Sequence, residues 1–104
     1  MDENRIRLIR LVITRIPLSS SQIALFKVLN ETDDYWISKS ELAYRISNND
    51  EASVTGILGA LGNRINQTGG VQPPLDGIGL LMKWETFHDE LHYQMLPELE
   101  AALH

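Results

Sequence analysis

Capping signals divide the segment 19–65 into three short helices, and this division constrains the fold more than any other feature. Ser19 precedes Gln22, and Ser38 precedes Glu41, at the spacing of an N-terminal capping box. Asp50 stands before a third stretch with helical apolar periodicity and can cap it. The predicted helices are Ser19–Asn30, Lys39–Ile46 and Glu51–Ile65.

The N-terminal segment predicts a further helix, Asn4–Ile16, which ends before Pro17. Its apolar arc covers more than half of the helix circumference, whereas one core contact needs a stripe of only about 100°. We therefore expect this helix to bury two faces, one of them against another chain. The candidate interface residues on it are Arg7, Leu8, Arg10 and Leu11.

The second half of the chain predicts a β-hairpin followed by a last helix. Leu80–Thr86 and Leu91–Leu96 have the character of two strands, and the loop before them is rich in Gly and Pro. Pro97 suits the first position of a helix, which we place at Pro97–Leu103. A turn is expected at Thr32-Asp33-Asp34, and a short extended piece at Tyr35-Trp36-Ile37. The fold class is α+β, mainly helical with a small hairpin.

This order of elements resembles the winged helix-turn-helix superfamily, and the phrase Ile37-Ser38-Lys39-Ser40-Glu41-Leu42-Ala43 is similar to one common in it. The resemblance implies one domain, 1–104: an extra N-terminal helix in 1–17 for dimerisation, a winged-helix core in 19–96 and a short C-terminal helix in 97–104. It also implies that Glu51–Ile65 is a recognition helix and the hairpin a wing. The resemblance implies DNA binding in transcriptional regulation, which is the function we expect first. The alternative is a docking or dimerisation module on the same fold that does not bind DNA.

The residues of the recognition helix and wing give limited support for DNA binding. A helix that reads bases needs Arg, Lys, Asn or Gln on its outer face. The candidate DNA-binding residues are Ser53, Thr55, Asn63, Arg64, Gln67 and Lys83. The net charge is zero over 51–67 and −2 over 77–95, which gives little attraction for phosphates.

Small residues on the same helix favour the alternative function, protein docking. Gly56, Gly59 and Gly62 recur every third residue, and each costs about 1 kcal/mol relative to Ala in a helix interior. Such a bare, uncharged face suits close approach of a partner, although packing within the chain, or drift at positions under no selection, also explains it. Gly56, Gly59 and Trp84 are therefore candidate interface residues, Trp84 because Trp is favoured at interface hot spots.

Composition and charge exclude several other classes. The chain has no Cys, which excludes disulfides and thiolate chemistry, and we expect a cytoplasmic protein. Residues 1–30 carry a net charge of +3 and residues 31–104 carry −8, and no segment has the pattern of an export signal or membrane span. We find no catalytic motif and expect no cofactor, metal or small-molecule substrate. The predicted partners are double-stranded DNA, a second copy of the chain or another protein.

Overall fold

The computed structural model describes residues 1–32 and 35–104 as five α-helices, one 3-10 helix and a three-stranded antiparallel sheet. This confirms the predicted α+β class. The predicted turn Thr32-Asp33-Asp34 includes Asp33 and Asp34, which lie outside the described residues. The elements are α1 (Glu3–Arg15), α2 (Ser20–Glu31), β1 (Ile37–Ser38), α3 (Lys39–Ile46), α4 (Glu51–Asn66), the 3-10 helix (Gly77–Leu80), β2 (Met82–Phe87), β3 (Glu90–Met95) and α5 (Pro97–Leu103).

The helices begin where the capping signals predict. The Ser19 hydroxyl accepts from the Gln22 backbone N–H, and the Gln22 side chain accepts in return from the Ser19 N–H. The Asp50 carboxylate accepts from the first-turn N–H groups of α4 at 3.1 and 3.3 Å. Such side chains satisfy N–H groups that have no partner within the helix, so they define its first residue locally.

The sheet has the order β1-β3-β2, with both neighbouring pairs antiparallel. A two-residue turn, His88-Asp89, joins β2 to β3, and both turn residues have positive φ, as a type I′ hairpin turn requires. Leu80 was predicted to begin the strand, and this was wrong, because Leu80 ends the 3-10 helix and β2 begins at Met82.

The core lies between the helices and one face of the sheet. Its fully buried side chains come from every helix, from Ile37 on β1, and from the residues that precede and begin β2. Among the described residues, no helix combines the length and apolar character needed to cross a membrane.

The chain itself covers most of the broad apolar arc of α1. This helix packs against α5. Arg5 at its N-terminal end donates to the carbonyls of Gly79 and Leu80 at 2.8 and 3.1 Å. Leu8 is only 2% exposed and lies beside Gly70. The prediction that Leu8 contacts another chain is therefore wrong, since α5 and the loop after α4 supply the second covering surface.

Candidate functional site

The outward side of α4 carries two glycines that pack against nothing in the described chain. A Cβ atom built on Gly56 or Gly59 would have no heavy atom within 4 Å, apart from its own chain neighbours and nearby helix backbone. At Gly62 the same atom would lie 3.8 Å from the Ile78 side chain. Packing within the chain is therefore no explanation for Gly56 and Gly59, and the surface above them is bare.

This surface borders a groove of about 530 Å³, which we call the α4 groove. Gly56, Ile57 and Ala60 line it from α4, and Ile46 lines it from the end of α3. Its polar lining consists of one amide side chain and four serine hydroxyls, namely Gln22, Ser19, Ser21, Ser47 and Ser53. The groove combines an apolar strip, hydroxyl groups and room for close approach, which is the chemistry of a binding surface.

Gln22 is the buried polar residue of the groove. It is only 7% exposed, and its amide oxygen accepts from the Ser19 N–H at 3.1 Å. None of the described residues accepts a hydrogen bond from its amide nitrogen, and none of them has a fully buried side-chain N or O without a partner. The amide nitrogen therefore retains contact with solvent, and because Gln22 lines the groove we place this free donor there.

Arg64 was predicted to lie on the outer face of α4, and the structure corrects this. Its side chain turns inward, where Nε donates to the Val12 carbonyl at 3.0 Å and Nη1 donates to the Pro17 carbonyl at 3.1 Å. Nη2 donates to the carbonyls of Ile13 and Ile16. The residue is 7% exposed, and burial, followed by the charge of Arg15, lowers its pKa. Arg64 therefore satisfies the carbonyl end of α1 and is unavailable to DNA.

The polar candidates at the N-terminal end of α4 are engaged within the chain. The Ser53 hydroxyl donates to Asp50 at 2.8 Å. The Thr55 hydroxyl accepts from the Lys39 ammonium at 2.7 Å. These bonds are exposed and exchangeable, so both hydroxyls remain within reach of a ligand. They share their surroundings with the carboxylates of Asp50 and Glu51, which repel a phosphate chain.

The remaining candidate DNA-binding residues do not lie beside the hydroxyls of Ser53 and Thr55. Asn63 and Gln67 are exposed near the C-terminal end of α4, about 12 Å along the axis from Thr55 at the nearest. Lys83 lies on the sheet face that points away from the helices, with its Nζ 5.5 Å from the centre of the Trp36 ring. The six predicted residues do not form one surface.

The electrostatics around α4 are acidic. Without Arg64, the accessible formal charge of 51–67 is that of Glu51 alone. Hydrogen bonds from Ser53 lower the pKa of Asp50, so this carboxylate is ionised at neutral pH. Hydrogen bonds from Ser40 likewise lower the pKa of Glu90 on the hairpin. Both carboxylates therefore keep their negative charge at neutral pH.

The other predicted interface residues remain at the surface. On α1, Leu11 is 39% exposed, Arg7 donates to Asn4, and Arg10 donates to the Ala101 carbonyl at a long 3.4 Å. On β2, Trp84 is 49% exposed and its ring lies against Gly79. These residues occupy α1 and β2 rather than α4, and none of them lines the α4 groove.

Sequence reasoning missed the α4 groove and Gln22. The capping box predicted the local bond of Gln22, but the groove forms only where the start of α2, the end of α3 and the middle of α4 meet. The lining residues of α2 are more than twenty positions from those of α3 and α4, so no local pattern indicated the cavity.

No family model, no curated protein and no solved structure matches this chain.

Proposed function

We propose that this chain is a non-catalytic winged helix-turn-helix protein that binds another protein through the outer side of α4. The observation that carries the proposal is the bare surface at Gly56 and Gly59 beside the α4 groove, on a helix whose one arginine is buried.

The order and pairing of the elements support the winged-helix part of the proposal. Three helices, α2, α3 and α4, precede a two-stranded hairpin, and the short β1 between α2 and α3 pairs with β3 of that hairpin. Helix α4 follows α3 after a tight turn and packs against it. This is the arrangement expected when α4 is the recognition helix and β2–β3 the wing.

The charges near α4 and the short side chains on its outer face favour a protein over DNA as the partner. Duplex DNA binding without sequence preference depends almost wholly on cations that neutralise phosphates. Here Arg64 is internal, Lys39 contacts Thr55, and carboxylates stand at the start of α4. A glycine-rich helix face offers no long side chain for base edges, but it allows another backbone to approach closely.

The groove also indicates the kind of partner. Ile46 and Ile57 provide apolar contact, and the serines and the Gln22 amide nitrogen provide hydrogen bonds. The Asp50 carboxylate accepts from Ser53, one of the lining residues, and Glu51 follows Asp50 in the chain. These negative charges favour basic side chains. We infer that the occupant is a helix of a partner protein with a small or apolar face and basic flanking residues.

Fluorescence anisotropy with duplex DNA tests the choice of partner class. We expect no binding of a random-sequence duplex at low salt. Salt-sensitive binding that weakens in Asn63→Ala, but not in the surface control Glu100→Ala on α5, would overturn the proposal in favour of DNA recognition.

Site-specific photo-crosslinking tests the surface itself. A photoreactive phenylalanine analogue replaces Ser21, an exposed residue that lines the groove, so that Gly56 and Gly59 stay bare. The same analogue at position 69 is the control, because Gly69 has nothing within 4 Å but lies beyond the end of α4. In native cell extract we expect a protein adduct of defined mass from position 21 alone. Equal adducts at both positions, or none at position 21, would contradict docking at α4.

A further inference from the structure

Strand β2 is an edge strand whose outer side has no neighbour in the described chain. The sheet order is β1-β3-β2, so β2 is paired on one side only. In a hairpin with a two-residue turn, the pair next to the turn, here Phe87 and Glu90, is hydrogen-bonded. Alternation then directs the N–H and C=O groups of Trp84 and Thr86 outward, and no described residue outside the sheet bonds to them.

The side chains along this edge are self-complementary when the strand is paired with its own copy. The sequence Met82-Lys83-Trp84-Glu85-Thr86 places opposite charges on either side of Trp84. In an antiparallel pair centred on Trp84, Lys83 stands opposite Glu85 of the partner subunit, and the reverse pair forms on the other side of the two-fold axis. Directly opposite side chains of opposite charge stabilise a sheet.

We propose that β2 is a homodimer interface, in which two copies of the chain pair their β2 strands antiparallel about Trp84. The outward backbone groups of Trp84 bond to those of Trp84 of the partner subunit, and those of Met82 bond to Thr86 of the partner subunit. Two three-stranded sheets become one sheet of six strands. Edge pairing of this kind satisfies backbone groups that an edge strand otherwise leaves to water.

Two features of β2 support a second copy of the chain as its partner. Trp84 is 49% exposed, and the symmetric pair places the two tryptophan rings on the same sheet face, where they shield one another from water. The Lys83 side chain extends over Trp36 in the single chain. Both Lys83 and Glu85 are exposed, so rotation about side-chain bonds is enough to bring the ammonium to the opposing carboxylate.

The proposal is independent of docking at α4, and it moves the dimer contact away from α1. The sequence suggested α1 because of its wide apolar arc, but the chain covers Leu8 itself. A pairing of five residues is small by the standard of stable interfaces, so we expect a weak, reversible dimer.

Charge reversal followed by sedimentation velocity tests the register. Lys83→Glu places like charges opposite each other in the symmetric pair, and so does Glu85→Lys. We expect each variant alone to weaken self-association by about tenfold or more. When the two variants are mixed, every opposed pair is again Glu with Lys, so a mixed dimer forms with close to wild-type affinity.

A proline variant tests the backbone pairing separately. Thr86→Pro removes an outward N–H and no ladder bond to β3, so the hairpin tolerates it while the dimer is lost. Circular dichroism confirms that the variant is folded. A wild-type chain that remains monomeric up to about 500 µM, or single charge variants that associate as the wild type does, would overturn the proposal. A mixture that associates no better than its components would overturn it as well.

Discussion

Helices α1 and α4 differ in how completely the chain covers them. Helix α1 has apolar residues around more than half of its circumference, and the fold buries Leu8 at 2% exposure. Helix α4 has a narrower apolar face, and its opposite side carries two glycines with open space above them. The helix that the sequence predicted to contact a partner is largely covered within the chain, whereas the helix with the narrower apolar face leaves one side uncovered.

The side chain of Arg64 links the two helices. The side chain leaves the C-terminal part of α4 and donates to carbonyls of Val12, Ile13, Ile16 and Pro17 at the end of α1. Each carbonyl at a helix end needs a partner when it is buried. One arginine thus completes α1 and at the same time removes the main positive charge from α4.

The largest expected effect on the free energy of unfolding is the difference between substitutions on the two sides of α1. Leu8→Ala removes a buried side chain and should lower the free energy of unfolding by about 3 kcal/mol. Leu11→Ala is the matched control, because Leu11 is the same residue on the same helix at 39% exposure, and its cost should be below about 1 kcal/mol. Urea denaturation measures both. Equal costs would show that the outer side of α1 is also covered in solution.

The second-largest expected effect concerns Arg64, which links α4 to the end of α1. Arg64→Met keeps the aliphatic volume but removes the donors to the end of α1, and we expect a loss of about 2 kcal/mol in the free energy of unfolding. Arg10→Met removes an exposed arginine with one long bond to Ala101 and should cost less than about 0.5 kcal/mol. If Arg64→Met unfolds at the same urea concentration as the wild type, the capping role is wrong.

The features predicted correctly from sequence depend on short-range chemistry. The capping residues Ser19, Ser38 and Asp50 bond to N–H groups two or three positions away, so the helix starts could be read from the chain. Residues 87–90, which separate the two predicted strands, contain the observed turn His88-Asp89, but the Asn-Gly or Asp-Gly pair that marks such a turn in a sequence is absent there.

The features predicted incorrectly depend on residues distant in the chain. Arg64 bonds to carbonyls 47 to 52 positions earlier, and nothing around it in sequence distinguishes an inward arginine from an outward one. Leu8 belongs to an apolar arc whose covering surfaces, α5 and the loop after α4, are identified only in three dimensions. Periodicity shows that a face will be buried, but it does not identify what buries it.

The smallest expected effect on stability concerns the two bare glycines of α4. Gly56→Ala and Gly59→Ala add a methyl group where nothing lies within 4 Å, inside a regular helix. Alanine loses less backbone entropy than glycine on folding, so each substitution should raise the free energy of unfolding by about 0.5–1 kcal/mol. Thermal or urea denaturation of the purified chain measures the gain.

Gly70→Ala is the contrasting control, because Gly70 has φ +91° and packs near Leu8, so alanine there should be destabilising. If both α4 variants gain stability while Gly70→Ala loses it, the two glycines reduce the stability of the free domain without serving its own packing. Their presence then requires an explanation outside the folded chain, which close approach of a partner backbone supplies. If neither α4 variant gains stability, the glycines are neutral, and the bare face no longer distinguishes α4 from any other exposed helix.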